Sequence, residues 1–176
     1  MVLAFLSSLV IAALKIFLSL LFGVTAVYFA IRFFDYLTKG IDEWKEIKKG
    51  NIAVAIYLAS FIFTVALIIE PSLGRLTGDI SLLFNKLTLA VLLIFVFDLL
   101  GLFITIIISS LVLLITIHLI DYLSHGMKKF EQLKRGNVAV AILLAAIILA
   151  VGIVIREGVA TAFEILNPFN LLVRFV

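Results

Sequence analysis

The sequence predicts an all-α integral membrane protein with four transmembrane helices, arranged as two tandem, parallel hairpins, each with a cytoplasmic amphipathic linker helix. Composition is the first reason. The chain is 65% hydrophobic and 14% charged, against about 45–50% and about 25% in ordinary globular proteins. Its mean hydropathy is +1.33, and a chain of 176 residues has too little interior to hide that much apolar surface, so lipid must cover the rest. An internal repeat is the second reason. A shift of 86 residues lays Asp35-Tyr36-Leu37 on Asp121-Tyr122-Leu123, and 16 of the 35 positions from 35 to 69 are identical without a gap. The identities include Asp, Tyr, Gly and Asn, which shared apolar composition alone would not align.

In chain order, an apolar stretch over residues 2–14 precedes a first span from Ile16 to Phe34. A charged linker leads to the second span, Asn51 to Ile69. These 19 uncharged residues reach about 28 Å at 1.5 Å per residue, matching a hydrocarbon core of about 30 Å. The third span covers Leu102 to Ile120 and the fourth Asn137 to Ile155. A helix running unbroken from Leu82 to Ile120 would be about 58 Å long, so a break is expected at Asp98 and Gly101. Residues 2–14 and 82–97 are read as interfacial or re-entrant segments, or as lids over an oligomer. The divisions are therefore residues 1–79 and 80–156 for the two hairpins and 157–176 for a short surface tail with Glu164, Pro168 and Arg174. An even number of spans per copy makes the repeat parallel, unlike the inverted repeats of many transporters.

In the linkers, Leu37, Ile41, Trp44 and Ile47 fall on one helical face, and Leu123, Met127, Phe130 and Leu133 take the aligned places. The other positions include Asp42, Glu43, Lys45, Glu46, Lys128, Lys129 and Glu131. Such helices lie flat at the lipid boundary, apolar side down. Lys48-Lys49 and Lys134-Arg135 suit the negative end of a helix dipole. Gly50 and Gly136 can then take the left-handed conformation that stops a helix, and Asn51 and Asn137 cap the span that follows. The Gly-Asn pair reads as a structural corner, with a ligand role for the asparagines as the alternative.

Nine Lys and Arg lie on the linker side and five on the other, which places the linkers in the cytoplasm and both termini outside, in the cytoplasmic membrane of the cell. The net charge of +3 sits in these clusters rather than over a soluble face, so no nucleic-acid partner is expected. Without cysteine there is no disulfide, thiolate metal site or cysteine nucleophile. The apolar N-terminus lacks the basic region of a signal peptide, so Met1 is expected in the mature protein.

Three constellations could carry chemistry. Arg32 with Asp35, and His118 with Asp121, stand three apart at corresponding places on one helix face. They read as charge anchors at the membrane edge or as a proton relay, since histidine titrates near neutral pH. Lys15 and Asp98 are ionisable residues in apolar stretches, read as an ion pair or as markers of the outer interface. Ala55 and Ala59, with Ala141 and Ala145, form small-residue seams where helices approach closely in lipid, within the hairpin or between subunits. The two histidines lack metal-ligand spacing, and no phosphate loop, nucleophile elbow or zinc-protease motif appears. No catalytic residue, metal or cofactor is expected.

The Asp-x-Leu-[Thr/Ser] start, the charged linker and the Gly-Asn-x-Ala-Val-Ala-Ile corner resemble the family called "domain of unknown function 350" over Asp35–Ile69 and Asp121–Ile155. That resemblance implies a small multi-pass inner-membrane protein with a duplicated unit, and by analogy a role in membrane integrity beside peripheral membrane-stress proteins. It implies no established reaction or substrate. The expected function is a non-enzymatic membrane-organising or membrane-integrity protein that self-associates in the bilayer. The alternative is an ion or small-solute channel or transporter with Lys15, Asp98 and His118 along its path.

Overall fold

The computed structural model describes residues 2–38, 42–85, 88–123 and 128–166. Among these there are six helices and no strand: α1 Val2–Leu37, α2 Glu43–Lys48, α3 Ile52–Asn85, α4 Leu89–Leu123, α5 Lys129–Lys134 and α6 Val138–Leu166. Four of them are long and apolar enough to cross a membrane. The protein is an all-helical, multi-pass membrane protein.

The long helices exceed one hydrocarbon thickness. α1, α3 and α4 have 36, 34 and 35 residues, about 50–54 Å each at 1.5 Å per residue. The expected break at Asp98 and Gly101 is absent, since α4 runs through both residues. Gly101 serves close packing instead, because a Cβ there would stand 2.8 Å from the Phe163 ring. α1 likewise runs unbroken from residue 2, so residues 2–14 and 89–97 continue spans rather than lie beside them. α3 continues past Ile69 through Pro71. A proline inside a helix loses one backbone hydrogen bond, which membrane helices tolerate when neighbours support the turn. α6 extends to Leu166 where a surface tail was expected from residue 157, and residues 167–176 lie outside the described residues.

α3 is the hub. It packs most extensively against α6, then against α4 and α1, while α4 meets α6 less than it meets α3. The small residues Ala26 and Ala30 are buried on α1. The same helix packs Phe34 against Tyr57 and, edge to face, Phe61 of α3, with ring centroids 5.4 and 5.0 Å apart. The slack between α4 and α6 leaves an apolar groove of about 430 Å³, lined among others by Ile104, Ile155, Gly158 and Ala162. Outward faces carry Phe17, Leu20, Phe63, Ile107 and Val154, all exposed, as suits side chains that meet lipid.

The linker helices are six residues each, shorter than the amphipathic pattern suggested, because Leu37 belongs to α1 and Leu123 to α4. Ile41 and Met127 lie outside the described residues. Trp44 is exposed, whereas Leu133 is fully buried and Ile47 and Phe130 pack against the core.

Candidate functional site

The corner after each linker helix is built by its backbone. Gly50 and Gly136 have φ of +83° and +75°. The amide of Gly50 donates to Ile47 O at 2.9 Å and that of Asn51 to Glu46 O at 3.0 Å. Gly136 and Asn137 repeat this on Leu133 and Gln132 at 2.9 and 3.0 Å. This double bond satisfies the last carbonyls of a helix and needs a left-handed residue. Each asparagine then opens the next helix: Asn51 Oδ1 accepts from the Val54 amide, and Asn137 Oδ1 from the Val140 amide, both at 3.2 Å. The copies differ in reach. Asn51 Nδ2 also donates to Leu133 O at 2.9 Å and Lys134 O at 3.3 Å, clasping the second linker, whereas Asn137 Nδ2 bonds Gln132 Oε1 at 3.0 Å. Lys49 and Asn51 both donate to the Glu46 carboxylate and hold it below its ordinary range.

The paired residues find other partners. Arg32 Nε donates to Tyr28 Oη at 3.2 Å and its guanidinium lies over that ring, one turn away from Asp35. His118 Nδ1 meets Leu114 O at 2.8 Å. Asp121 forms an ion pair with Lys129 at 2.6 Å, and Lys129 Nζ also donates to Ile117 O at 2.9 Å. Lys129 is only 2% exposed and Glu43, its equivalent 86 residues earlier, 5%. The sequence pattern put both on the solvated face. Their side chains reach back to the end of the preceding span, Lys129 to Asp121 and Ile117 O and Glu43 to Thr38. Glu43 meets the hydroxyl of Thr38 and the carboxyl of Asp35. Thr38 also donates to Phe34 O at 2.8 Å, so its hydroxyl is shared between that carbonyl and the Glu43 carboxyl. Burial, reinforced by the nearby Asp35 charge, pushes the Glu43 carboxyl above its ordinary range; the Thr38 hydroxyl offsets part of this.

At the far end of the bundle lies a polar cluster. Asp98 is buried, with Oδ2 lacking a hydrogen-bond partner, and Arg75 Nη1 is buried and likewise unpaired. Both border a small void with Ser72, Gly101 and Phe163. Asp79 reaches the Asp98 carboxyl, the Ser72 and Thr105 hydroxyls meet at 2.6 Å, and the Arg75 guanidinium faces the Phe163 ring at 5.8 Å. Lys15 is held elsewhere, its Nζ donating to Gly78 O at 3.2 Å. Charged and polar groups of α3 and α4 thus gather beside the Phe163 ring of α6. Among the described residues no group of three metal-ligating side chains converges.

The family described as Domain of Unknown Function (DUF350) matches residues 4–159. The chain belongs to this family. The DUF350 match takes in residues 4–14 and 80–100 as well as the two Gly-Asn corners, so it reaches well past the segments that carry the sequence resemblance. No curated protein and no solved structure matches this DUF350 chain significantly.

Ser72, Arg75 and Asp79 lie beyond the expected end of the second span at Ile69, and nothing in the sequence pairs Thr105 of α4 with them. The signal was present: Ser72, Arg75 and Asp79 recur at intervals of three and four, which places them on one helical face. The seam residues are split between the copies. Ala141 and Ala145 are buried on α6, while Ala59 is exposed on α3 and Ala55 half-buried.

Proposed function

We propose that this chain is a non-enzymatic membrane-organising protein that self-associates in the bilayer. The observation that carries this reading is where the structured mass lies. Outside the four long helices, the described residues form only two six-residue helices and their joins. The outward faces of the long helices carry many exposed apolar side chains, and apolar grooves of about 430 and 210 Å³ open between α4 and α6 and between α1 and α4. Helices in lipid associate by close packing of such surfaces. In this reading α1–α2–α3 and α4–α5–α6 are two tandem hairpins of one orientation, and α2 and α5 are basic collars at the cytoplasmic leaflet. Both termini lie outside, and peripheral membrane-stress proteins are candidate partners at the collars.

In mild detergent or lipid nanodiscs, native mass spectrometry is expected to give a defined oligomer; a clean monomer at every concentration would overturn the reading. Labelling of Trp44→Cys and Phe130→Cys in intact cells is expected to place both elbows on the cytoplasmic side. Labels on opposite sides would end the parallel scheme. The buried atoms Asp98 Oδ2 and Arg75 Nη1, which lack hydrogen-bond partners, favour one second reading, an ion or small-solute conduit. Its test is liposome flux, and flux unchanged in Asp98→Ala and His118→Ala would remove it. His118 is exposed on α4, which weighs against a path through the bundle.

A further inference from the structure

The two copies of the second span have almost the same sequence at their starts but bury opposite faces. On α3, Tyr57, Ser60, Thr64 and Ile68 are buried, while Ala59 and Ala66 are exposed. On α6 the pattern is reversed. Ala145 and Gly152, the equivalents of Ala59 and Ala66, are buried. Leu143, Ala146, Ala150 and Val154, the equivalents of Tyr57, Ser60, Thr64 and Ile68, are exposed. The contrast is large: Tyr57 is 1% exposed against 54% for Leu143, and Ile68 is 0% exposed against 70% for Val154. The interface between α3 and α6 covers Thr64 on one side and Gly152 on the other, while Phe34 of α1 covers Tyr57. A Cβ on Gly152 would stand 2.5 Å from Thr64 Cγ2. The same interface carries the Asn51 clasp on Leu133 O and the ion pair of Arg156 with Glu70 at 2.8 Å.

Such an interface is heterologous. It leaves the complementary face open at each end, the Ala66 face of α3 and the Ala150 face of α6. We infer that a second copy of this chain covers them, its α3 packing on α6 of the first as α6 packs on α3 within one chain. The inference rests on the self-association proposed above and names its surfaces.

Moving each internal contact by 86 residues gives the contacts between copies, and each is chemically sound. Thr64 against Gly152 becomes Ala150 against Ala66 of the next copy. One side gains a methyl and the other loses its hydroxyl and methyl, so the close approach is kept. Glu70 and Arg156 stand at one repeat position and already pair within the chain, so the shift adds no new ion pair there. Asn51 on the carbonyls of Leu133 and Lys134 becomes Asn137 facing those of Ile47 and Lys48. The helix α4, whose Thr105 meets Ser72, becomes the next copy's α1, whose Ser19 meets Gly158 on the wall of the open α4–α6 groove. α1 has the lowest buried share of the four spans, so it has surface to give. A head-to-tail contact of this kind closes into a ring or extends into a filament.

The chain has no native cysteine, so single cysteines report the geometry directly. Ala66→Cys and Ala150→Cys are placed on differently tagged copies, co-expressed in one membrane and oxidised. Disulfide-linked dimers are expected from the mixture and from neither variant alone, and the double variant on one chain is expected to give a ladder of three copies and more. Equal linking by Ala66→Cys alone or Ala150→Cys alone would mean a two-fold face and overturn the inference. No link in the mixture, with an intact oligomer by native mass spectrometry, would overturn these surfaces while self-association stands. A monomer throughout would overturn both. Ala150→Trp, on a lipid-exposed face, is expected to abolish most of the oligomer while leaving the melting of the monomer unchanged.

Discussion

Glu43 and Lys129 hold one position in the 86-residue register, both out of water, with opposite charge and different solutions. Lys129 has Asp121 and a backbone carbonyl, whereas Glu43 has a hydroxyl and a second acid. In the second arrangement burial and the neighbouring Asp35 carboxyl disfavour the charged form of Glu43. With its folded pKa raised above the ordinary 4.5, its stabilising contribution is complete below that value and is lost as pH rises through the folded pKa. Urea or thermal unfolding in detergent should therefore show stability declining across that window. Glu43→Gln, which keeps a hydrogen for Thr38, should flatten the decline and raise stability at neutral pH. Asp121→Ala leaves Lys129 buried against one carbonyl. The expected loss is about 2 kcal/mol, below the 3–5 kcal/mol of a fully buried pair because Asp121 is more than half exposed. Unfolding free energies would check this, and an unchanged value would mean that water reaches the ammonium.

At the scale of elements, the Gly-Asn corners show how far sequence alone determines structure. A basic last turn, a glycine and a capping asparagine are local devices, and both copies satisfy them within five residues of chain. Equal sequence does not give equal energetics, however. Asn137→Ala loses a cap, about 1 kcal/mol. Asn51→Ala loses the cap and the clasp on the second linker, adding about 1 kcal/mol more. In detergent that separates the copies, Asn51→Ala should be the more destabilised of the two, and equal losses would show the clasp to be idle. The long helices are less legible. Their charge-free middles were legible, but their ends were not, because a helix that outruns the hydrocarbon core is supported by neighbouring helices rather than by lipid. Asp98 and Gly101 looked like a break because both weaken a lone helix. In the bundle Gly101 admits Phe163, and Asp98 joins Arg75 and Asp79.

For the whole molecule, the close contact of α3 with α6 governs shape. Gly152→Ala puts a methyl into Thr64 and should destabilise by about 1–3 kcal/mol through overpacking. Gly23→Ala meets nothing within 4 Å and gains up to about 1 kcal/mol of helix propensity, so it should be neutral or stabilising. Thermal melting of the two variants in one detergent checks the pair, and similar shifts would show the contact to be loose.

The residues by themselves determined the all-helical membrane class, the corners and the family, because hydropathy and capping act over short stretches of chain. Only the tertiary structure decided which face of each repeated helix is covered, where Glu43 and Lys129 go, and which charges meet at the far end. Two helices with matching patterns present the same face to any partner. When they pack on each other in parallel, one must give the front and the other the back, and nothing local distinguishes them.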